Sequence, residues 1–174
     1  SVDNMEMERR RITDNLRDKG FYRFQKDYIT FMADTAHHSN RVKLTMNIAL
    51  PASLEKGVKN MHREYRINKI YYVAGAGLRF DEASLSECDT LHAGVYEFLY
   101  TEDPVVRPGL LMNNTYVIPG KLYSQSDVER TQNAFAQLPA LKYTTVRMVE
   151  SIENPDMLDC YIMYERNKRR SVGF

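Results

Sequence analysis

The chain has 174 residues, of which 43% are hydrophobic and 27% are charged. This composition fits one folded domain or two small ones and argues against disorder. Its 24 basic and 23 acidic side chains nearly cancel, so no overall field attracts nucleic acid or an anionic membrane. No run approaches the roughly 20 apolar residues of a membrane-spanning helix, and the first residues lack the apolar centre of a signal peptide. We therefore expect a soluble chain without a targeting segment.

The first element along the chain is a predicted helix over residues 3–19. Met5, Ile12 and Leu16 lie near one stripe of this helix, and charged side chains occupy the other faces. Gly20 follows the last turn, where glycine readily takes the left-handed backbone that ends a helix. The helix should therefore bury one narrow apolar stripe and stop at Gly20.

Two strands are predicted next, at residues 28–32 and 42–48, with a turn at 34–40 between them. The second strand alternates apolar and polar residues over its whole length. Residues 51–64 are polar and show no sustained period, so we interpret them as a linker. The first third of the chain therefore reads helix, strand, strand.

A further strand is predicted at residues 65–73, and its apolar phase slips between Ile67 and Ile70. A β-bulge accounts for such a slip. Residues 75–103 begin with two glycines and have a weak pattern. We interpret them as an insertion that carries one extra strand, at 95–100.

The clearest turn and helix signals of the chain begin after a predicted short helix at 110–114. Pro119 and Gly120 predict a turn, and Ser124 or Ser126 can cap a following helix through its hydroxyl group. Apolar residues then recur every three to four positions up to Pro139, which ends the helix.

Two predicted strands, at 143–149 and 158–164, follow this helix and should pair antiparallel against it. Leu158, Cys160 and Ile162 share the inward side of the second strand. Cys160 is thus expected to be a free, apolar filler rather than half of a disulfide with Cys88. The sequence predicts an α+β fold in which one small unit of helix, strand and strand occurs twice.

The order of these elements and their motifs resemble the POTRA domain, in particular the repeats that precede the membrane barrel of BamA/TamA-type outer-membrane assembly factors. The second copy carries the matching motifs Ile118-Pro-Gly-x-x-Tyr-Ser124, Asp127-Val-Glu-Arg-Thr131, Leu138-x-x-Leu-Lys-Tyr143 and Leu158-Asp-x-x-Ile162. The first copy carries Glu8-Arg-x-Arg-Ile12, Leu16-Arg-x-x-Gly-Phe-Tyr22 and Asp27-Tyr-Ile29. The resemblance covers most of residues 3–166 and is weakest in the insertion.

The resemblance implies tandem β-α-α-β-β modules, each a small mixed sheet covered on one face by helices. Residues 1–51 would form a partial repeat without its first strand, and residues 52–64 a linker. Residues 65–168 would form a complete repeat with the insertion at 75–103. Residues 169–174 would begin a membrane barrel that is absent from this sequence.

The resemblance also implies a location and partners. The chain would be the periplasmic part of an outer-membrane protein of a Gram-negative bacterium, in front of its own C-terminal membrane barrel. Its partners would be unfolded outer-membrane barrel proteins or lipoproteins of the assembly complex. It would act as a scaffold without catalysis, and it would use no cofactor.

A physical mechanism for such a scaffold follows from the expected sheets. If the closing strand of each copy is central, the strands near 28–32 and 143–150 are edges whose unpaired peptide groups can bind an extended peptide by β-augmentation. The candidate client-binding residues lie on these two strands: Tyr28, Ile29, Thr30, Phe31, Tyr143, Thr144, Thr145, Val146, Arg147 and Met148.

Other functions find less support in the sequence. Its four histidines show no spacing with cysteines or carboxylates that would build a metal site, and no glycine-rich phosphate loop is present. No nucleophile lies beside a base, so we predict no enzyme. Twelve tyrosines could stack on nucleic-acid bases, but the ribonucleoprotein signature is missing. The alternative that remains is a structural spacer, which orients the barrel without touching clients.

Overall fold

The computed structural model describes residues 1–35, 42–49, 62–75, 82–101 and 106–167. Several predictions lie largely or wholly outside these ranges. They are the turn at 34–40, the linker at 52–64 apart from its last three residues, and the start of a barrel at 169–174. The division of the chain into repeats at that linker therefore stays a prediction.

The described residues form helices and strands close to the predicted positions. The helices are α1 (Val2–Asp18), α2 (Glu82–Ser86), α3 (Pro108–Asn113) and α4 (Gln125–Ala136). The strands are β1 (Ile29–Asp34), β2 (Lys43–Ile48), β3 (Arg66–Ala74), β4 (Asp89–Ala93), β5 (Tyr96–Tyr100), β6 (Leu141–Glu150) and β7 (Met157–Arg166). None of the described helices is long and apolar enough to cross a membrane.

The predicted glycine after α1 and the predicted serine cap of α4 are both confirmed. Gly20 follows α1 with φ +103°, the left-handed backbone that suits glycine after a helix. Ser124 caps α4, because its side chain accepts a hydrogen bond from the amide of Asp127 at 3.3 Å. This bond partners one of the donors that the first turn leaves open.

The larger sheet has five strands in the order β4-β5-β3-β7-β6. It is mixed: β3 pairs parallel with both β5 and β7, while β4–β5 and β6–β7 are antiparallel. The order β3, α3, α4, β6, β7 is the expected β-α-α-β-β order with an insertion after the first strand. The predicted α+β class is confirmed, and β7 lies between β3 and β6.

Helices α3 and α4 cover one face of the larger sheet. Leu111 of α3 and Phe135 of α4 are almost fully buried, in one cluster with Tyr72 of β3 and Ile162 of β7. The alternation predicted for β7 is confirmed, because the apolar side chains of its inward phase all belong to this cluster: Leu158, Cys160, Ile162 and Tyr164. Cys160 is a free thiol there.

The predicted bulge in β3 is present as a register shift between Ile67 and Ile70. The insertion differs from the prediction, because it adds the short helix α2 and a hairpin, β4–β5, rather than one strand. The outer strand β4 is exposed at all five positions. It therefore needs no apolar alternation, which is the signal by which a half-buried strand is recognised in a sequence.

In the described part of the chain, β1 and β2 form a second sheet, in which they pair antiparallel. Its core is small: Phe24, Tyr28 and Ile29 are buried, together with partly buried residues of α1. Tyr28 closes a 3-10 helix over Lys26–Tyr28 instead of opening the strand. The described part of this sheet is two-stranded and antiparallel, not mixed as the resemblance implied.

Candidate functional site

The candidate site consists of the sheet edges, and the hydrogen-bond register decides which peptide groups face outward. In β6–β7 the amide of Ser151 bonds the carbonyl of Met157 at 2.9 Å, which fixes the phase of the ladder. Thr145 and Arg147 then pair with β7, whereas the peptide groups of Val146 and Met148 point away from it. The outward set is therefore the even-numbered one from Val146 to Glu150.

One end of this edge is already occupied by α4. The side-chain amide of Gln132 donates to the carbonyl of Thr144 at 2.8 Å and accepts from the amide of Val146 at 2.7 Å. A primary amide presents a donor and an acceptor side by side, as a neighbouring strand does. We call this arrangement the Gln132 clamp.

The pairing of β6 is also irregular beside the clamp. The register shifts between Lys142 and Thr145, so that Tyr143 and Thr144 share one position opposite β7. Tyr143 has φ +52°, the only positive φ outside glycine among the described residues, and its side chain is 75% exposed. A bulge of this kind twists an edge away from flat pairing.

The other end of β6 contacts the segment that follows α1. Tyr22 donates its hydroxyl to the carbonyl of Met148 at 3.5 Å. Arg23 forms a two-pronged ion pair with Glu150, with 2.6 Å between Nη2 and Oε2, and Tyr65 donates to the same carboxylate at 2.8 Å. Burial by itself would raise the pKa of Glu150, but these hydrogen bonds and the charges of Arg23 and Arg63 hold the pKa below its ordinary value.

These contacts belong to a joint between the two sheets. Tyr22 packs edge-on against Tyr65 and Tyr123, with ring centroids 5.7 and 5.1 Å apart. At the other side of the joint, Asp18 accepts hydrogen bonds from the amide and hydroxyl of Ser126, at 2.8 and 2.6 Å. The C-terminus of α1 is thereby fixed to the first turn of α4, where the helix dipole favours a carboxylate.

Among the candidate residues of the smaller sheet, Tyr28 and Ile29 are 7% and 1% exposed, respectively. The amide of Ala49 bonds the carbonyl of Tyr28 at 2.7 Å, so Thr30 also pairs with β2 and the outward groups of β1 are those of Ile29 and Phe31. Half of the residues predicted on this edge therefore turn their peptide groups inward.

Two further edges were missed by the sequence reasoning. Strand β4 ends the larger sheet opposite β6, and β2 is bordered only by β1 in the described part of the smaller sheet. The clean alternation of β2 predicted a strand, but alternation alone does not say which neighbours a strand has.

The described side chains that could bind a metal ion or act as a nucleophile are dispersed. Within the described ranges, no three His, Cys, Asp or Glu side chains are placed to hold a metal ion. The thiol of Cys160 is buried in the core, and burial raises its pKa to about 12, which keeps it protonated and inert. The described residues offer several sheet edges instead.

Comparison with known proteins gives structural neighbours and no sequence relatives. No family model matches the sequence, and no curated protein matches it. The N-terminal domain of Omp85 from the thermophilic cyanobacterium Thermosynechococcus elongatus is similar at 10% identity, with a TM-score of 0.36, over 80% of this chain and 76% of that one. POTRA domains 3–5 of BamA from Haemophilus influenzae are similar at 10% identity, with a TM-score of 0.32, over 94% and 80%.

Proposed function

We propose that the chain is a periplasmic protein-binding scaffold of an outer-membrane barrel assembly or translocation factor, and that it binds extended client or partner segments by β-augmentation. The POTRA motifs of the sequence and the observed order β3, α3, α4, β6, β7 support this proposal. Its clients would be unfolded barrel proteins or partner lipoproteins. It would require neither cofactor nor metal, and it would catalyse no reaction.

The observation that carries the proposal is the number of sheet edges relative to the size of the chain. In the described residues, β4 and β6 are terminal strands of one sheet, and β1 and β2 are the whole of the other. An edge presents a row of peptide donors and acceptors that an extended chain can bond with little regard to its side chains. Such binding suits clients of many sequences.

On β6 the proposed binding residues are Tyr143–Met148, and the Gln132 clamp limits how they can act. A client strand must displace the clamp to reach the peptide groups of Thr144 and Val146. Beyond the clamp it meets the outward amide of Met148, whose carbonyl already accepts a hydrogen bond from Tyr22. On β1 the proposed residues are Tyr28–Phe31, where only Ile29 and Phe31 turn their peptide groups outward.

The test is a titration of the isotope-labelled chain with peptides derived from barrel strands, followed by amide chemical shifts. We expect shifts along β6 or β1. Met148→Pro removes an outward amide and should weaken binding at β6, whereas Arg147→Pro would break the pairing with β7 and is unsuitable. Normal folding of Met148→Pro with undiminished binding, or shifts confined to loops, would contradict augmentation at β6.

A spacer that orients the barrel is the second candidate, and the joint favours it. The Asp18 cap holds the end of α1 against α4, and the Arg23–Glu150 pair and the Tyr22 contacts hold the segment after α1 against the larger sheet. Two substitutions in the parent protein distinguish client binding from the spacer function. Loss of assembly in Met148→Pro with the joint intact supports binding, and loss only when the joint is broken, as in Glu150→Ala, supports a spacer.

A further inference from the structure

The face of the larger sheet turned away from α3 and α4 carries a shallow concavity of about 200 Å³, which we call the Tyr71 concavity. Ile70 and Tyr72 of β3 belong to the core under the helices, so the side chain of Tyr71 lies on the opposite face. Tyr161 is its neighbour on β7, and the two rings stack with centroids 4.5 Å apart and 6° between their planes. The residues that line the concavity lie well inside the described ranges 62–75 and 106–167. The concavity therefore belongs to the sheet itself and to the hairpin between β6 and β7.

The bulge of β3 shapes the floor of the Tyr71 concavity. Between Ile67 and Ile70, β3 has Asn68 and Lys69 where β7 has only Asp159. Asn68 donates a hydrogen bond to Oδ1 of Asp159 at 2.8 Å. The other carboxylate oxygen, Oδ2, has no hydrogen-bond partner among the described residues. A bulge commonly re-aims side chains beside a functional site, and here it holds a carboxylate with one oxygen open.

The charge of this face is negative. Lys69 bonds Glu97 at 3.1 Å, and the charges of Glu153 and Asp159 also raise the pKa of Lys69. One positive charge therefore stands among three negative ones, which leaves two negative charges in excess. Even when Arg147 of the neighbouring strand β6 is counted, one remains. The face is thus complementary to a cation.

Aromatic and aliphatic surface accompanies this charge. Burial, and then the charges of the same three carboxylates, raise the pKa of Tyr71 to about 12, so the carboxylates act directly on the ring. Ile152, in the hairpin between β6 and β7, also lines the concavity and is 95% exposed. Aromatic residues are enriched at protein interfaces, and a cationic partner side chain that carries a long apolar stem suits such a mixed surface.

We infer that the Tyr71 concavity binds an arginine side chain from a basic segment of a partner protein. The guanidinium bonds Oδ2 of Asp159 and the carboxylate of Glu153, its stem packs against the tyrosine rings, and an apolar neighbour of the arginine contacts Ile152. Arginine fits better than lysine, because its planar fork of five donors can serve two carboxylates and is less strongly hydrated than an ammonium group. The inference goes beyond the proposed function, since it concerns side-chain recognition on a sheet face and not peptide groups at an edge.

The probe is the capped peptide acetyl-Leu-Arg-Leu-amide, titrated into the isotope-labelled chain. The amides of Ile152, Glu153 and Asp159 should shift. Citrulline has the shape of arginine without its charge, so the citrulline peptide should bind about tenfold more weakly. The lysine peptide should bind about threefold more weakly. Shifts confined to other regions, or equal binding of the citrulline peptide, would overturn the inference, and a lysine peptide that binds as tightly would overturn the assignment to arginine.

Two isosteric variants test the carboxylates. Asp159→Asn keeps an acceptor for Asn68 and removes the charge, and Glu153→Gln does the same at an exposed position of the hairpin where folding is not at stake. Each should weaken binding of the arginine peptide about fivefold. Asp156→Asn removes an equal charge from the same hairpin, outside the concavity and beside Arg63, and should bind as the parent does. Equal weakening in this control, or unchanged binding in both test variants, contradicts the inference.

The same titrations separate this site from the sheet edges. Shifts of barrel-derived peptides along β6 or β1, without binding of the arginine peptide, would overturn this inference and leave the proposed function standing. Binding of the arginine peptide at the Tyr71 concavity, with no shift at any edge, would support the inference and contradict β-augmentation.

Discussion

The Gln132 clamp should contribute measurably to the stability of the fold. In Gln132→Met the side chain keeps its length and its helix propensity but loses both bonds to β6. One hydrogen bond contributes about 1 kcal/mol net. The two together should stabilise the fold by about 2 kcal/mol or less, because water reaches an edge strand once the side chain is gone.

Two measurements report on the clamp. Urea denaturation should show the loss of stability, and hydrogen exchange should show that the amide of Val146 opens several-fold faster in Gln132→Met. Gln132→Glu keeps an acceptor for Val146 while it removes the donor to Thr144, so protection of Val146 should survive in part. Asn133→Ala, which truncates the exposed amide at the next position of α4, is the matched control. It should leave exchange at Val146 unchanged and should raise the stability by about 0.5 kcal/mol, because alanine has the higher helix propensity.

The clamp also competes with any client at this edge. If β6 binds extended peptides, Gln132→Met should bind them more tightly than the parent does, despite its lower stability. An unchanged exchange rate at Val146 together with unchanged stability would refute the clamp. Weaker peptide binding in Gln132→Met would refute the competition.

Three further predictions concern the joint, the bulge and the core. Glu150→Gln should cost about 1 kcal/mol at neutral pH. The pKa of Glu150 in the folded protein lies below its ordinary value of 4.5. The stability that the ionised carboxylate contributes is therefore present above about pH 4.5 and is lost as the pH falls through the folded pKa. Denaturation curves of parent and variant should converge in acid. Tyr143→Gly should stabilise by up to about 1 kcal/mol by relieving φ +52°, and Tyr143→Val should destabilise; melting temperatures compare the two. Phe135→Ala should cost about 3–5 kcal/mol in urea denaturation, because Phe135 is fully buried.

Several features were predictable because a local stretch of chain determines them. The cap at Ser124, the end of α1 at Gly20 and the inward phase of β7 each follow from residues a few positions apart. The slip between Ile67 and Ile70 likewise showed the bulge of β3, because a bulge shifts which residues face the core.

The connections between helix and strand were less predictable. In the second unit β6 begins at Leu141, soon after α4 ends at Ala136, but in the first unit ten residues separate Asp18 from Ile29. Phe21 and Phe24 have the hydrophobicity of strand residues, and both precede the strand. Phe24 is buried and Phe21 is partly buried in the small core with Tyr28 and residues of α1. This packing joins separate elements, which no local pattern reports.

The sequence by itself determined the α+β class, the order of elements and which side of each main strand faces the core, since alternation and capping are properties of neighbouring residues. Only the tertiary structure decided which strands are edges and which edges are occupied. Gln132 bonds residues 12 and 14 positions away, and Arg23 bonds a residue 127 positions away. Polar side chains carry no periodic signal of their distant partners, so the occupied part of the edge at β6 emerged only from the folded chain.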